Sequence, residues 1–472
     1  MSGPAPQPGL DIRLTGPVIV ALTALVAVSQ LGGPAWAGLA AAGLYPFLIL
    51  LLMPRVRRTR LIFPALAVVL TIAALATRPD WPGTILSALD RAAFIAAFFS
   101  ALTSLRHAAD GSPAIRTCGM YLAHQPPGRR YIALSAGGQM FALLLNYGAI
   151  ALLGSLATAA AREESDPEIR QHRMRRMLLA VQRGFISMLP WSPLAFAVAI
   201  MSSLIPGVTY GRTLPYAIFT SVLLVAIGWA LDTLFKPRLA RAAPPQARGE
   251  GETWRALLPL GGLLVLLMTV ALTLHETTGA RITAIMLVVV PAIAALWFTV
   301  QGPEGARLRH GAQRVRAYVG LDLPRYRDEV LLLSLAGYIG SVGAVLLTPL
   351  IEQTGFDLHV LPGWAVLVAV VWLMPLTGQL GMNPILSATL IYPFVPDAAV
   401  LGVTPTAVFI AFTGGWALSG SNSPFAATTL LLGNFAGISA FRVGWQWNGV
   451  YTICCGVALS LWVAAMALFG LG

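Results

Sequence analysis

Residues 414–434 read GGWALSGSNSPFAATTLLLGN, and the reading of this stretch decides the fold. It is apolar enough to lie in a bilayer. Its middle nevertheless places Gly420, three polar residues (Ser421, Asn422, Ser423) and Pro424 in succession, with Thr428 and Thr429 just beyond. A helix in lipid must satisfy its own backbone, so such a break is tolerated at membrane depth only where protein or a watery cavity supplies partners. Broken helices of this kind gather half-helix ends, hydroxyls and free carbonyls around a midplane site. The same letters also describe a proline kink whose hydroxyls bond back to their own helix. The first reading gains weight because the pattern occurs twice.

The rest of the composition agrees with a membrane setting. Of 472 residues, 57% are hydrophobic and 11% charged, against about 25% charged in soluble proteins; mean hydropathy is +0.75. The 31 Lys+Arg against 19 Asp+Glu give a net charge of +12. The arginines sit between apolar runs, as the positive-inside rule expects, so nucleic acid is not an expected partner. Three cysteines (Cys118, Cys454, Cys455) form neither a disulfide framework nor a metal-ligand spacing. No basic n-region or cleavage site of a removed signal peptide opens the chain.

Spans need about 20 apolar residues. Read in order, the predicted parts are N-terminal helices over 1–60 and a first repeat over 61–235. A linker follows at 236–255, then connecting helices and a second repeat over 256–472. The arginine-rich segments at 106–130, 159–183 and 301–329 read as cytoplasmic loops. Both ends of 131–158 then fall on the cytoplasmic side, and both ends of 363–394 fall on the outer side. Each segment suits a re-entrant hairpin, the two entering from opposite faces. The expected fold is an all-α polytopic membrane protein with about 11 transmembrane helices plus two oppositely oriented hairpins in an inverted repeat. The N-terminus is expected in the cytoplasm and the C-terminus in the periplasm.

The two halves match in order and kind. Gly138–Gln139 with Asn146 in the first hairpin answers to Gly378–Gln379 with Asn383 in the second. A broken helix follows each: 184–206 with Ser192–Pro193–Leu194–Ala195, and 402–434 with Ser423–Pro424–Phe425–Ala426. The glutamines lie 240 positions apart (379 − 139) and the serines 231 (423 − 192). Two opposed hairpins, each followed by a helix broken at a Ser/Asn/Thr/Pro-type motif, resemble the ion transporter superfamily. Its members include divalent-anion:sodium symporters, citrate carriers, arsenite permeases and the large membrane subunit of TRAP transporters. The resemblance covers roughly residue 61 to the C-terminus.

That resemblance implies a secondary active transporter of the bacterial inner membrane. Its solute is expected to be a small anionic metabolite, a carboxylate in the first instance, coupled to Na+ or H+, and a homodimer is implied. The candidate substrate- and ion-binding residues are Gln139, Asn146, Ser192, Pro193, Thr377, Gln379, Asn383, Ser421, Asn422, Ser423 and Thr428. Oxygens of Ser421, Asn422 and Ser423 suit a hard cation such as Na+. Uncharged amides in apolar helices also serve as plain interhelical glue, worth about 0.6 kcal/mol each. No catalytic residue, cofactor or fixed metal is expected. Asp90 and Arg91, inside a predicted span, are further candidates, since ionisable groups there default to functional hypotheses; His275 reads as interfacial. The rival readings are a membrane-embedded transferase acting on a lipid-linked substrate, which would want a clustered acid or His, and a passive channel.

Overall fold

A computed structural model describes residues 10–110, 112–236, 253–353 and 360–472. Positions 237–252 of the expected linker, and 354–359 of an expected outer loop, lie outside the described residues. Every regular element among the described residues is helical. Among the described residues, seven helices are long and apolar enough to cross a bilayer, or eight if the pair 405–436 and 440–447, bent by 107°, counts as one span.

The chain separates into two compact units. The first comprises Met1–Ala108, Val270–Phe356 and Thr389–Pro393, and the second the remainder. In chain order the first unit begins with α1 (Leu10–Gln30), α2 (Ala35–Leu52), α3 (Ile62–Thr77) and most of α4 (Trp81–Asp110). The second unit follows with α5 (Pro113–Ala123), α6 (Pro127–Leu145), α7 (Tyr147–Arg162), α8 (Pro167–Met188), α9 (Phe196–Leu204), α10 (Tyr210–Leu234) and the start of α11 (Leu258–Thr278). The chain returns to the first unit for α12 (Ile282–Val300), α13 (Arg307–Ala317) and α14 (Arg327–Gln353). The second unit closes with α15 (Gly363–Gln379), most of α16 (Pro384–Ile391), α17 (Pro405–Asn422), α18 (Ala427–Ala436), the short α19 (Ala440–Arg442) and α20 (Gly449–Phe469).

In the first unit, polar side chains pair between helices instead of facing apolar surroundings alone. Tyr45 donates to Ser334 (2.9 Å), the Thr71 and Tyr338 hydroxyls are hydrogen-bonded at 2.7 Å, and Arg91 donates to Ser341 (3.1 Å). Arg91 therefore has a neutral partner on α14. His275 Nδ1 lies 2.7 Å from the Ala280 carbonyl just past its helix.

Two segments expected as loops are helical. The arginine-rich run at 159–183 belongs largely to α8. Asp166 starts this helix by accepting from the Glu168 and Ile169 amides (2.9 and 3.3 Å), with Pro167 at its first position. The arginines are held from the sides. Arg176 grips Asp232 with two hydrogen bonds (2.8 and 2.7 Å), Arg173 meets Glu164 at 3.4 Å, and Arg175 stacks over Trp447 at 5.5 Å. Tertiary contacts thus supply partners for these charges along α8. Likewise the 301–329 segment contains α13.

The second unit packs by small residues. A Cβ on Gly184 would collide with the Ser135 carbonyl, and one on Gly138 would lie 2.8 Å from the Val181 carbonyl, so α6 and α8 touch backbone to backbone. The same contact recurs between α15 and α17. Gly378 faces the Ser419 hydroxyl, and a Cβ on Gly415 would lie 3.0 Å from the Val371 carbonyl. Gly184 and Gly415 are 231 positions apart (415 − 184), the offset of the two Ser-Pro motifs. Gly184→Ala should therefore lower the unfolding temperature of the detergent-solubilised protein, the overpacking costing about 1–3 kcal/mol. Gly262→Ala, where a Cβ meets nothing within 4 Å, should leave it unchanged or slightly raised.

Candidate functional site

The candidate site residues lie in the second unit, at the two helix interruptions and the helix ends beside them. Both helices leading into the interruptions are enclosed by protein: α17 is buried from Thr406 to Asn422, and α8 from Met177 to Met188. Each then stops at a Ser-Pro-x-Ala turn of the same construction. Ser192 Oγ accepts from the Leu194 amide (3.1 Å), and the Ala195 amide donates to the Ser192 carbonyl (2.9 Å). In the other half Ser423 Oγ accepts from the Phe425 amide (3.2 Å), and the Ala426 amide donates to the Ser423 carbonyl (3.2 Å). The prolines lack an amide hydrogen and so end the preceding helix without leaving an orphan donor. Ser192 and Pro193 thus build the turn.

The two glutamines are held alike. Trp191 Nε1 donates to Gln139 Oε1 at 3.0 Å, and Trp445 Nε1 donates to Gln379 Oε1 at 3.0 Å. Gln139 Oε1 also accepts from Ser221 at 3.4 Å. Asn146 does not join this group. It is the turn between α6 and α7, with φ of 50°, the one described non-glycine residue in the left-handed half of the map, a conformation Asn tolerates better than most side chains. Seven residues of helix separate it from Gln139, about 10 Å at 1.5 Å per residue.

In the second half the end of α15 and the interruption after α17 interlock. Gly381, at φ of 85°, lets α15 end tightly, with the Met382 amide returning to the Thr377 carbonyl at 3.2 Å. Thr377 donates to Ser387 (2.8 Å), and Asn383 Oδ1 accepts from the Ile385 amide (2.8 Å). These two residues serve the connection into α16. Ser423 donates to the Gly378 carbonyl at 2.6 Å, joining the interruption to the end of α15. Thr428 donates to the Gly420 carbonyl and Thr429 to the Ser423 carbonyl, while Ser421 donates to Leu418 (2.7 Å) and lies 3.1 Å from the Thr452 hydroxyl. The carbonyls released by breaking the helix are thereby largely satisfied from within.

Three polar atoms here are not. Gln379 Nε2, Ser419 Oγ and Asn422 Oδ1 are buried with no hydrogen-bond partner. Gly378 faces Ser419, Trp445 holds the other end of the Gln379 amide, and Gly444 packs against the Asn422 carbonyl. All three belong to the end of α17 or to the end of α15 that packs on it. Each orphaned group costs about 1–3 kcal/mol, and together they offer a donor, an acceptor and a hydroxyl. Gln379 and Asn422 were legible in the sequence. Ser419, Trp191 and Trp445 were not singled out, because serine and tryptophan in apolar runs read as core or interfacial residues until their partners are visible.

Ser423→Ala leaves the Gly378 carbonyl with only the Gly381 amide at 3.3 Å and takes the acceptor from the Phe425 amide. It should lower stability by about 1–3 kcal/mol, read by thermal unfolding, whereas Thr277→Ala at an exposed helix end should change it by less than about 0.5 kcal/mol.

No family model matches the chain, and no curated protein matches it. Among solved structures, the Alcanivorax borkumensis YdaH transporter is 16% identical, aligned over 88% of this chain and 100% of its own, with a TM-score of 0.57. Neisseria gonorrhoeae MtrF, which illuminates a class of antimetabolite efflux pumps, is 13% identical over 90% of this chain and 97% of its own, with a TM-score of 0.54. At these identities the likeness is one of fold: this all-helical chain with its apolar spans is a membrane protein folded like two transporters.

Proposed function

We propose that the chain is a secondary active transporter of the bacterial inner membrane that moves a small anionic metabolite, a carboxylate in the first instance, coupled to Na+ or H+. The observation that carries this reading is the set of buried, unpartnered polar atoms on Gln379, Ser419 and Asn422, near an interrupted helix. Buried polar groups without partners are rare in folded proteins, and a ligand is one of the reasons they persist. The fold shared with two transporters supports a transport role over a structural one.

The donor set suits the solute. Gln379 Nε2 and Ser419 Oγ can donate to a carboxylate, and the N-terminus of α18, at Ala427, carries the positive end of a helix dipole. Asn422 Oδ1 is the acceptor that a coupling cation would use, since the Gly420 and Ser423 carbonyls already receive threonine hydroxyls. The matched Ser-Pro-x-Ala turns, Trp–Gln pairs and glycine contacts support an inverted repeat with the site at its centre, and a homodimeric assembly is part of this reading.

The test is flux into liposomes. Reconstituted protein should accumulate a labelled carboxylate when a Na+ or pH gradient is imposed. Gln379→Leu and Asn422→Leu should each reduce accumulation to the protein-free background while membrane expression stays at the unsubstituted level. Unchanged flux in both variants would remove these residues from the site.

A further inference from the structure

Arg183 stands out among the arginines of α8. It lies past the middle of the helix and is only 5% exposed. Its partners are neutral: Nε donates to Asn448 Oδ1 at 3.2 Å, and the guanidinium lies 4.4 Å over the ring of Tyr451. Among the described residues no carboxylate lies within ion-pair distance of it. Asp232, one turn beyond Gly228 on α10, is taken by Arg176. A buried charge without a counter-ion carries a desolvation penalty, and a cation–π contact offsets it only in part. The balance is a standing electrostatic deficit in the interior of the unit.

The packing beside this cation brings a phenol against it. A Cβ on Gly228 would collide with the Tyr131 hydroxyl and lie 3.3 Å from Arg183 Cδ, so the glycine lets phenol and guanidinium lie side by side. The Tyr131 hydroxyl is itself buried and makes no hydrogen bond of ordinary geometry. The cation is also wired to the interruption. Asn448 Nδ2 donates to Gln182 Oε1 (2.8 Å), and Gln182 Nε2 donates to the Gly420 carbonyl (3.3 Å), the same carbonyl that receives Thr428. By the 231-residue offset the counterpart of Arg183 is Gly414, so the charge is present in one half alone.

We propose that Arg183, with the Tyr131 hydroxyl beside it, is the charge-recognition element of the transport site and takes the anionic oxygens of the solute, a carboxylate or another oxyanion. This deepens the transport reading and rests on it. A bound anion supplies the missing counter-ion and accepts charge-assisted hydrogen bonds, which are roughly twice as strong as neutral ones. A neutral or cationic solute gains nothing from the guanidinium, so the element selects by charge.

The test titrates purified protein with succinate, glutamate, benzoate and inorganic phosphate at matched ionic strength, following the unfolding temperature, with succinamide as the uncharged control. At least one acid should stabilise the unsubstituted protein and succinamide should not. Arg183→Gln should weaken that acid by at least about 30-fold, the scale of losing one partner of a buried charge pair. Asn448→Asp places a competing carboxylate on the guanidinium and should weaken the acid comparably. Tyr131→Phe, which keeps the ring, should cost a few-fold in affinity with little change in ligand-free stability. Equal affinity in Arg183→Gln and Tyr131→Phe, or stabilisation of the unsubstituted protein by succinamide alone, would overturn the proposal. Liposome flux separates the two readings. Transport of an acid whose binding ignores Arg183 sinks this inference and leaves the transport reading standing. Binding that depends on Arg183 without any flux does the reverse.

Discussion

A helix interrupted inside an apolar interior releases backbone groups that have no water to turn to, and the second unit is arranged around meeting that demand. At Ser423 the released carbonyls receive hydroxyls from Thr428 and Thr429 and an amide from Gln182, while the serine ties the turn to the end of α15. At Ser192 the turn closes on its own amides. Each partner must come from a defined direction, so the interruption fixes where α15, α8 and α20 stand. Satisfied polar groups of this kind hold one arrangement of the core in preference to others. Against that background the few groups left without partners acquire meaning.

The close approach of α6 to α8 and of α15 to α17 follows from the same constraint. Side-chain hydrogen bonds reach only about 3 Å, so the helices that supply them must run nearly backbone to backbone. Gly138, Gly184, Gly378 and Gly415 make that approach feasible. The matching of these contacts between the halves is local and chemical: glycine against carbonyl or hydroxyl, indole against amide, serine against its own turn. Charge breaks the match. One half carries Arg183 and the other Gly414 at the corresponding position, so the two similar motifs differ in charge.

Much of this was legible in the letters. The two Ser-Pro-x-Ala motifs, the two glutamines and their order along the chain were readable because breaks and amides are conspicuous in apolar sequence. Gln379, Ser421, Asn422, Ser423 and Thr428 do come together at the end of α17, and Gln139 does contact the first interruption through Trp191. Asn146, Thr377 and Asn383 carry the same residue chemistry but serve turns and connections. A side chain's role in such places depends on the partner it meets, and no spacing rule along one strand of sequence encodes that. Arg183 was hidden for a related reason. Counted with its neighbours it looked like loop charge, because hydropathy weighs a residue by type and takes no account of the Asp232, Glu164 and Trp447 contacts that let the arginine-rich segment fold as helix.

By itself the sequence determined a membrane-resident, all-helical chain with two interrupted helices and a repeated motif, since burial in lipid and backbone satisfaction act on composition and on short, contiguous patterns. Only the tertiary structure decided which polar groups end with partners and which do not. That outcome depends on distances between residues 40 to 270 positions apart, such as Ser423 to Gly378 and Arg183 to Asn448, and a hydrogen bond exists or fails within a few tenths of an ångström.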